Sequence, residues 1–351
     1  MTDRELLLKQ NPLVNVSRST AARMWLVAVC AFFAALQSAA GDSFLSLIVA
    51  LAALISALLT ELLITYKTHG FGKIKDGSAA ASALALVLLF PNQIHPLYAA
   101  LSAVFAIAVV KHSFGGLGAN WMNPALGGWL FARFSWPAAF SIALNGSMNS
   151  LNEAGSAAGN MMSISLNKSF FSFLGAELPP GYIDLFALET PGIIADRAVL
   201  TLVLASAVIA ASQISRSWLS FVYLAVFGLL TRILGDISGS AWNGDVIYAI
   251  LSGGTLVTAF ILISDPSTGA KSTPGGLIAA VLAAVLGFIF RFYGREFFGC
   301  LYAAALVNTL VPLLYKAERR MLYRSSAIGS GPAGGGLAMS GIKDIKERRY
   351  E

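Results

Sequence analysis

Residues 24–66 read MWLVAVCAFFAALQSAAGDSFLSLIVALAALISALLTELLITY, two apolar runs that meet at the polar turn Gly41-Asp42-Ser43. A helix needs about 20 apolar residues to cross the hydrocarbon core of a bilayer, because each residue advances it by about 1.5 Å. Glu61 is the one charged side chain within either run. This stretch therefore predicts two consecutive membrane-spanning helices.

Similar runs recur along nearly the whole chain. Hydrophobic residues make up 56% of the 351 positions and charged residues 12%, whereas a soluble domain carries roughly 25% charged residues. Because lipid-exposed backbone must satisfy its own hydrogen bonds, these runs predict an all-α polytopic membrane protein. The ten predicted spans are Met24 to Ala40, Phe44 to Tyr66, Ser78 to Phe90, Leu97 to Val110, Ala125 to Leu144, Ala198 to Ala211, Trp218 to Leu234, Val246 to Ile263, Leu277 to Phe292 and Phe297 to Tyr315.

The formal net charge of +6 is explained by where the basic residues lie. With ten crossings, most Lys and Arg residues fall on the side of the membrane that carries both termini, and cytoplasmic segments accumulate these residues. We therefore expect a cell inner membrane protein with both termini in the cytoplasm. The basic charge does not indicate a nucleic-acid partner.

The predicted spans group into two halves separated by one long outer loop. Loops of that length are usually functional or disordered, and the composition of the C-terminal tail is typical of disorder. The predicted organisation is a cytoplasmic N-terminal segment at 1–23, a first membrane half at 24–144, a periplasmic loop at 145–197, a second membrane half at 198–315 and a disordered cytoplasmic tail at 316–351.

The third span of each half is bounded in a similar way. Asp76-Gly77 precedes a run that ends in Phe90-Pro91, and Gly244-Asp245 precedes one that ends in Asp265-Pro266. Five spans in each half would place the halves in opposite orientations, which is the inverted-repeat plan of many transport folds. Alternatively, the shared pattern reflects only two membrane helices that are bounded by turns.

The chain offers few metal ligands. It has two Cys and three His residues, and Cys30 and Cys300 lie far apart inside apolar runs. We expect both to act as small hydrophobic side chains. No metal site is predicted within the chain, although a cluster shared with a partner chain stays open.

An unusual loop connects the fourth and fifth predicted spans, with the sequence KHSFGGLGANWMNP at 111–124. Glycine permits backbone conformations and close approaches that other residues do not, and asparagine brings both donors and acceptors. The loop is interpreted either as a binding segment or as an ordinary tight re-entrant turn. Its candidate residues are Gly115, Gly116, Gly118, Asn120 and Asn123.

Several segments resemble one family of membrane oxidoreductase subunits. The strongest are DGSAAASALALVLLFP from Asp76, KHSFGGLGANWMNPALGG from Lys111 and SWP from Ser135. Together they resemble the D subunit of the bacterial Rnf electron-transport complex and the related B subunit of the sodium-pumping NADH:quinone reductase. Further matching segments, in the family's order, are NPLVNVSRST, LFALETPG, LISDPSTGAKSTPGG and REFFGCLYAAALVNTLVPLL.

The resemblance implies a subunit that is inactive alone. It would pass electrons through flavin within a multi-subunit translocase and couple this transfer to Na⁺ or H⁺ translocation. The implied partners are a flavin-bearing periplasmic subunit on the outer loop, two other integral membrane subunits and iron–sulfur subunits on the NADH or ferredoxin side, in addition to membrane lipid.

The resemblance also implies FMN or riboflavin as cofactor. Typical members carry FMN on a threonine in an outer-loop motif close to Ser-Gly-Ala-Thr, and that threonine is absent here. Ser156, within Ala154-Gly155-Ser156-Ala157, is the candidate for a covalent link. The alternative is a solvated loop serine and no covalent flavin.

A non-covalent flavin within the membrane part has three candidate positions. These are the turn at Asp76 and Gly77, the glycine loop and the turn at Asp265. Glu61 and Asp265 are the candidates for ion coupling, because ionisable groups near membrane depth are costly and often functional; alternatively, both reach water at span ends. Arg133 is expected to face the bundle interior and pair with a carbonyl or carboxylate.

No catalytic residue is assigned from the sequence. Two rival functions remain at this stage. An inverted repeat with glycine-broken segments also suits a solute channel or transporter, which the loss of the threonine favours slightly. The other rival is an assembly subunit that has lost its covalent flavin.

Overall fold

The computed structural model describes residues 20–41, 44–68, 76–141, 192–212, 216–234, 246–265, 267–269, 272–294 and 297–329. Within these ranges the chain is helical, and the one extended pairing is an isolated bridge between Pro91 and Ile193. Statements about the structure refer to these residues.

The first half is built from helices that pack in two antiparallel pairs, α1 against α3 and α2 against α4. Proline occupies the first position of α4 and α5, where its missing N–H is not needed, and His95 and Asn123 cap these two helices. The helices are α1 (Thr20–Gly41), α2 (Leu45–Thr68), α3 (Ser78–Leu88), α4 (Pro96–Phe105), which continues as π-helical turns over Ala106–His112, and α5 (Pro124–Ser135).

In the second half α8 packs against α11, and α11 packs against α12. The helices are α6 (Ile194–Arg197), α7 (Val199–Ala211), α8 (Ser217–Leu234), α9 (Val246–Leu251), α10 (Thr255–Val257), which continues as π-helical turns over Thr258–Ile263, α11 (Thr273–Phe288), which continues likewise over Ile289–Tyr293, and α12 (Gly299–Gly329).

Four helical segments are long and apolar enough to cross a membrane: Thr20–Ala40, Leu45–Tyr66, Ser217–Leu234 and Thr273–Tyr293. Shorter apolar helices accompany them. Large hydrophobic side chains such as Leu63, Phe134 and Leu313 remain exposed on the outside of the bundle. The all-helical membrane class is confirmed at this level, and the count of ten spans stays a prediction.

Two predicted spans are interrupted, so their continuous form was wrong. The fifth was expected over Ala125 to Leu144, but α5 ends at Ser135 and helix resumes at 137–141. Pro137 lacks an N–H and excludes helical geometry at the residue before it, and Trp136 accordingly has φ −130° and ψ 63°.

The eighth predicted span is broken between Leu251 and Thr255. Gly253 and Gly254 have φ values of +65° and +69°, a left-handed conformation that no residue of a right-handed helix can hold. At the C-terminus α12 extends to Gly329, beyond the expected boundary at Tyr315.

Small residues bring the helices of the first half close together. A Cβ atom on Gly127 would lie 2.5 Å from Cγ2 of Val110, and one on Gly128 would lie 2.9 Å from the carbonyl oxygen of Ser102. Close approach of helices through small residues is a usual source of packing energy in membranes. It holds the end of α4 against the start of α5.

The two halves meet through the backbone beyond α3. The Ile194 N–H donates to the Phe90 carbonyl over 2.8 Å, and the Asn92 N–H donates to Gly192 over 3.3 Å. Near the opposite end of the bundle, Asn123 at the start of α5 contacts Asp265 beyond α10. This second meeting point borders the candidate site.

Candidate functional site

A pocket opens where the first turn of α1, the start of α3, the end of the α4 π turns and the start of α5 converge on Asp265. Its empty space is about 450 Å³, including the open space at its mouth. Val27, Ala81, Leu117 and Ile261 contribute apolar walls. The polar lining of this polar pocket comes from Arg23, Ser78, Lys111, Asn120, Asn123 and Asp265.

Lys111 is buried at the wall of the polar pocket. Its Nζ donates to Glu61 Oε1 over 2.8 Å and to Ser78 Oγ over 2.6 Å, and both charged side chains are nearly inaccessible to solvent. An unpaired buried charge costs several kcal/mol, roughly, so this pairing is what permits both groups at membrane depth. Lys111 lies on π-helical turns, a rare geometry that is frequent at functional sites.

His112 holds the other oxygen of the same carboxylate. Its Nε2 lies 2.8 Å from Oε2 of Glu61, and its side chain is 17% exposed. Glu61 therefore bridges a side chain that reaches solvent and a side chain that lines the polar pocket. We call Glu61, Ser78, Lys111 and His112 the Glu61 cluster.

The turn at Asp76 positions the serine of this cluster. Oδ1 of Asp76 accepts hydrogen bonds from the N–H of Ser78 (2.9 Å) and from its hydroxyl (2.7 Å). Gly77 has φ +71°, and a Cβ atom there would lie 2.8 Å from the Trp25 ring. The turn thus requires glycine for both conformation and space.

The glycine loop has a mainly conformational role. Gly115, Gly116 and Gly118 have φ values of +110°, +90° and +92°, which only glycine adopts readily. With its amide oriented accordingly, Asn120 donates to the carbonyls of Gly116 (2.9 Å) and Lys111 (3.2 Å). Asn120 therefore closes the loop and also lines the polar pocket, whereas the three glycines do not line it.

Asn123 joins the two halves. Its Oδ1 accepts from the Ala125 N–H over 2.9 Å, which caps α5, and its Nδ2 donates to Asp265 Oδ2 over 3.0 Å. Asp265 also accepts from the N–H and hydroxyl of Ser267 (3.1 and 2.6 Å) and from the hydroxyl of Thr268 (3.3 Å). Its carboxylate is therefore surrounded by neutral donors.

Arg23 is a site residue that the sequence interpretation did not single out. It is 3% exposed and lines the polar pocket, and its NH1 has no hydrogen-bond partner among the described residues. The available signal was an arginine directly before the first apolar run. That signal is weak, because basic residues at span ends usually reach the membrane surface.

A second buried cation lies near the other end of the bundle, on the π turns that follow α11. NH1 of Arg291 donates to the carbonyls of Ala249 (2.7 Å) and Ser252 (3.0 Å) and to the Thr255 hydroxyl (3.0 Å), and NH2 donates to the Ser252 hydroxyl (2.7 Å). We call these residues the Arg291 cluster. It closes the break between α9 and α10.

Asp196 lies beside the Arg291 cluster, ahead of the apolar helix α7. Its carboxylate accepts from the Gly254 N–H over 3.1 Å and from the Ile193 N–H over 3.4 Å. Burial raises the pKa of this carboxyl from 3.8 to about 6, against the opposing effects of the Gly254 hydrogen bond and the Arg291 charge. Sequence interpretation missed both Asp196 and Arg291, because neither belongs to a recognisable motif.

A family model for NQR2, RnfD and RnfE matches residues 7–324. The chain belongs to the NQR2, RnfD, RnfE family. The resemblance inferred from the sequence segments is thereby confirmed. The match includes every residue of the polar pocket and of both clusters.

Named relatives of this NQR2, RnfD, RnfE family member are D subunits of ion-translocating complexes. The chain is 27% identical over 311 residues to that of the proton-translocating ferredoxin:NAD⁺ oxidoreductase complex of Clostridium ljungdahlii, covering 88% of this chain and 93% of the relative. It is also 27% identical over 332 residues to the counterpart in the Na⁺-translocating complex of Acetobacterium woodii, covering 92% and 96%. Equal identity to both leaves the coupling ion undecided.

Other site predictions for this family member have mixed outcomes. Ser156 lies outside the described residues, so a covalent flavin stays a prediction. Arg133 lies near the end of α5, and its described contact is with the Phe140 ring, 5.6 Å from the ring centroid, where a carbonyl or carboxylate was expected. Cys30 and Cys300 are free thiols. No group of three or more potential metal ligands occurs among the described residues.

Proposed function

We propose that this chain is the D-type membrane subunit of an Rnf-type oxidoreductase complex and passes electrons through a non-covalent flavin in the polar pocket. The observation that carries the proposal is the buried NH1 of Arg23, which lines this pocket without a partner among the described residues. A buried donor left unpaired costs about 1–3 kcal/mol. A ligand with an acceptor atom would remove that cost.

The remaining lining supports a flavin. Cofactor pockets are mostly apolar with a few convergent polar groups and enclose roughly 300–1,000 Å³, and the polar pocket meets this description. Val27, Ala81 and Ile261 would exclude water from one side of a flat ring, and Asn120 and Asn123 would offer amide groups at its edge. When bound, the flavin supplies one- and two-electron transfer.

Ion coupling is proposed for Glu61. Its two oxygens are held by Lys111 and His112, so Na⁺ or H⁺ would have to compete with these groups for the carboxylate. Because Lys111 also lines the polar pocket, a change of charge there would act on the Lys111 to Glu61 contact directly. Asp265 is the weaker ion candidate, because it already accepts several hydrogen bonds.

An inverted repeat is proposed as the finer architecture. Lys111 donates to the hydroxyl of Ser78, which follows the left-handed Gly77, and Arg291 donates to the hydroxyl of Thr255, which follows the left-handed Gly254. Each cation lies on π turns that end a long helix. This correspondence supports two halves of five spans in opposite orientations.

Inner-membrane orientation and partners belong to the same proposal. Both termini would be cytoplasmic, and the implied partners are a flavin-bearing periplasmic subunit, two integral membrane subunits and iron–sulfur subunits. Single cysteines placed at the exposed positions Ser113 and Ser141 in a chain lacking Cys30 and Cys300 test the orientation. An impermeant thiol reagent should label position 141 in intact cells and position 113 only in inverted vesicles. The reverse pattern would overturn the orientation.

The flavin is tested by purifying the protein from its own host, precipitating it with acid and measuring flavin in both fractions. Flavin in the supernatant is the expected result, and flavin on the denatured chain would direct peptide mass spectrometry to Ser156. Absence from both fractions would overturn the proposal in favour of a transporter or assembly subunit. Solute flux through the isolated chain would then separate these two.

A further inference from the structure

The buried cations near the two ends of the bundle are compensated to different degrees. Lys111 has the Glu61 carboxylate at 2.8 Å, and Arg291 donates to carbonyls and hydroxyls through both of its terminal nitrogens. Arg23 is as deeply buried, yet its NH1 has no hydrogen-bond partner among the residues that the structure describes. Arg23 is therefore the cation with donor capacity left for a ligand.

Asp265 does not use that capacity. It attracts Arg23 electrostatically, but its described hydrogen bonds come from Asn123, Ser267 and Thr268. These neutral donors stabilise the carboxylate without consuming an N–H of the guanidinium. A carboxylate therefore lies close enough to balance the Arg23 charge in part, while NH1 remains free.

The charges around the polar pocket indicate how much negative charge it can accept. Arg23 and Lys111 contribute two positive charges, and Asp265 and Glu61 contribute two negative ones. A dianion would bring net negative charge beside two buried carboxylates, which is unfavourable at low dielectric. One additional negative charge next to NH1 of Arg23 is the most that this arrangement suits.

We infer that Arg23 stabilises the single negative charge that a flavin ring in the polar pocket acquires on reduction, and thereby raises its reduction potential. The inference rests on the proposed function. Reduction by a low-potential donor transfers two electrons and takes one proton from solvent, so a neutral ring gains one negative charge. Arg23 interacts more strongly with the reduced ring than with the oxidised ring.

A flavin phosphate is the other anionic group that Arg23 could hold, and the two alternatives predict different measurements. Contact with the ring changes the affinity for reduced flavin more than that for oxidised flavin, with riboflavin as well as FMN. Contact with a phosphate changes both redox states equally, and only with FMN. The potential of bound riboflavin therefore decides between them.

The test compares the full-length protein in detergent, loaded with riboflavin, with three variants. Arg23→Gln removes the charge, Arg23→Lys keeps it, and Arg133→Gln is the control, because Arg133 also has a buried nitrogen without a described partner but lies outside the polar pocket. Dithionite titration with redox mediators and flavin absorbance give the midpoint potential. Covalent flavin, measured on the acid-precipitated chain, is subtracted.

Arg23→Gln should weaken binding of reduced relative to oxidised riboflavin at least tenfold, which lowers a two-electron potential by about 30 mV or more. Arg23→Lys should retain most of the potential, and Arg133→Gln all of it. An unchanged potential in Arg23→Gln would overturn the inference, as would a weaker FMN affinity that is equal in both redox states. If Arg23→Gln does not fold, a potential lowered by about 30 mV in Arg23→Lys would overturn it as well.

Failure of the proposed function gives a different result. In that case wild-type protein retains no releasable flavin and binds no added riboflavin. If wild type binds riboflavin and Arg23→Gln binds it with the same potential, the flavin pocket stands and only the role of Arg23 is wrong.

Discussion

The Glu61 cluster and the Arg291 cluster use the same local geometry with different electrostatics. In each, a cation on π turns donates to a hydroxyl that follows a left-handed glycine. Lys111 is paired with a carboxylate that also contacts the partly exposed His112. Arg291 donates instead to the carbonyls and hydroxyls of a helix break.

This difference teaches what a buried cation can do near each end of the bundle. A lysine paired with one carboxylate can change partner when a proton or metal ion arrives, because only two strong contacts hold it. An arginine that satisfies several backbone and hydroxyl acceptors cannot move without leaving them unpaired. The first arrangement suits function and the second suits stability.

The largest expected effect is the loss of Arg291. Arg291→Met leaves the carbonyls of Ala249 and Ser252 without their donor in a buried helix break, and each unsatisfied group costs about 1–3 kcal/mol. We expect stability to fall by roughly 3–5 kcal/mol, the range for breaking a buried charged contact. Thermal unfolding in detergent measures it, and wild-type stability in Arg291→Met would refute the structural role.

A smaller effect concerns Asp196, whose folded pKa of about 6 lies above the ordinary 3.8. The folded state favours the protonated carboxyl, so the stabilisation is complete below about pH 4 and is lost as pH rises through 6. The difference corresponds to about 3 kcal/mol. Unfolding temperatures between pH 4 and 7 should show this loss, and Asp196→Asn, which keeps an acceptor oxygen, should abolish it.

The Lys111 to Glu61 pair should behave differently from Arg291. Lys111→Met leaves a buried carboxylate with only His112, and we expect a loss of roughly 2–3 kcal/mol. Adding Glu61→Gln should restore most of that stability, because the double variant contains no unpaired charge. Ion uptake by the complex in proteoliposomes should be lost in both. A double variant less stable than Lys111→Met would contradict the pairing.

The smallest expected effect tests the correspondence between the two ends. Gly77→Ala and Gly254→Ala each force a left-handed conformation on alanine, at a cost of about 1–2 kcal/mol, and each places Cβ against one side chain, that of Trp25 or Ile193. The two losses in thermal stability should be similar. A loss confined to one position would weaken the inverted-repeat proposal.

Much of the fold was predictable because local sequence specifies it. The apolar runs mark helices, and the start of α3 at Ser78 was predicted correctly from the Asp76-Gly77 turn. The breaks at Trp136 and at Gly253 were missed, because hydropathy averaged over a span does not detect a single proline or a glycine pair.

The candidate site was predictable only in part. Asn120, Asn123 and Asp265 were singled out from motifs, and the structure brings these three together. Arg23 and Arg291 were not, since each was interpreted as a basic residue near a span end. Whether such a residue snorkels to the surface or turns inward depends on neighbours that are distant in sequence.

The sequence by itself determined the membrane class, the family, the positions of most helices and the glycines that the turns require, because these properties depend on composition and on the backbone of a few adjacent residues. Only the tertiary structure decided that Glu61 meets Lys111, that Asn123 meets Asp265 across the two halves, and that Arg23 lines the polar pocket with a free donor. Charge compensation at low dielectric depends on distances of a few ångströms between separate helices. Those distances arise only when the helices pack.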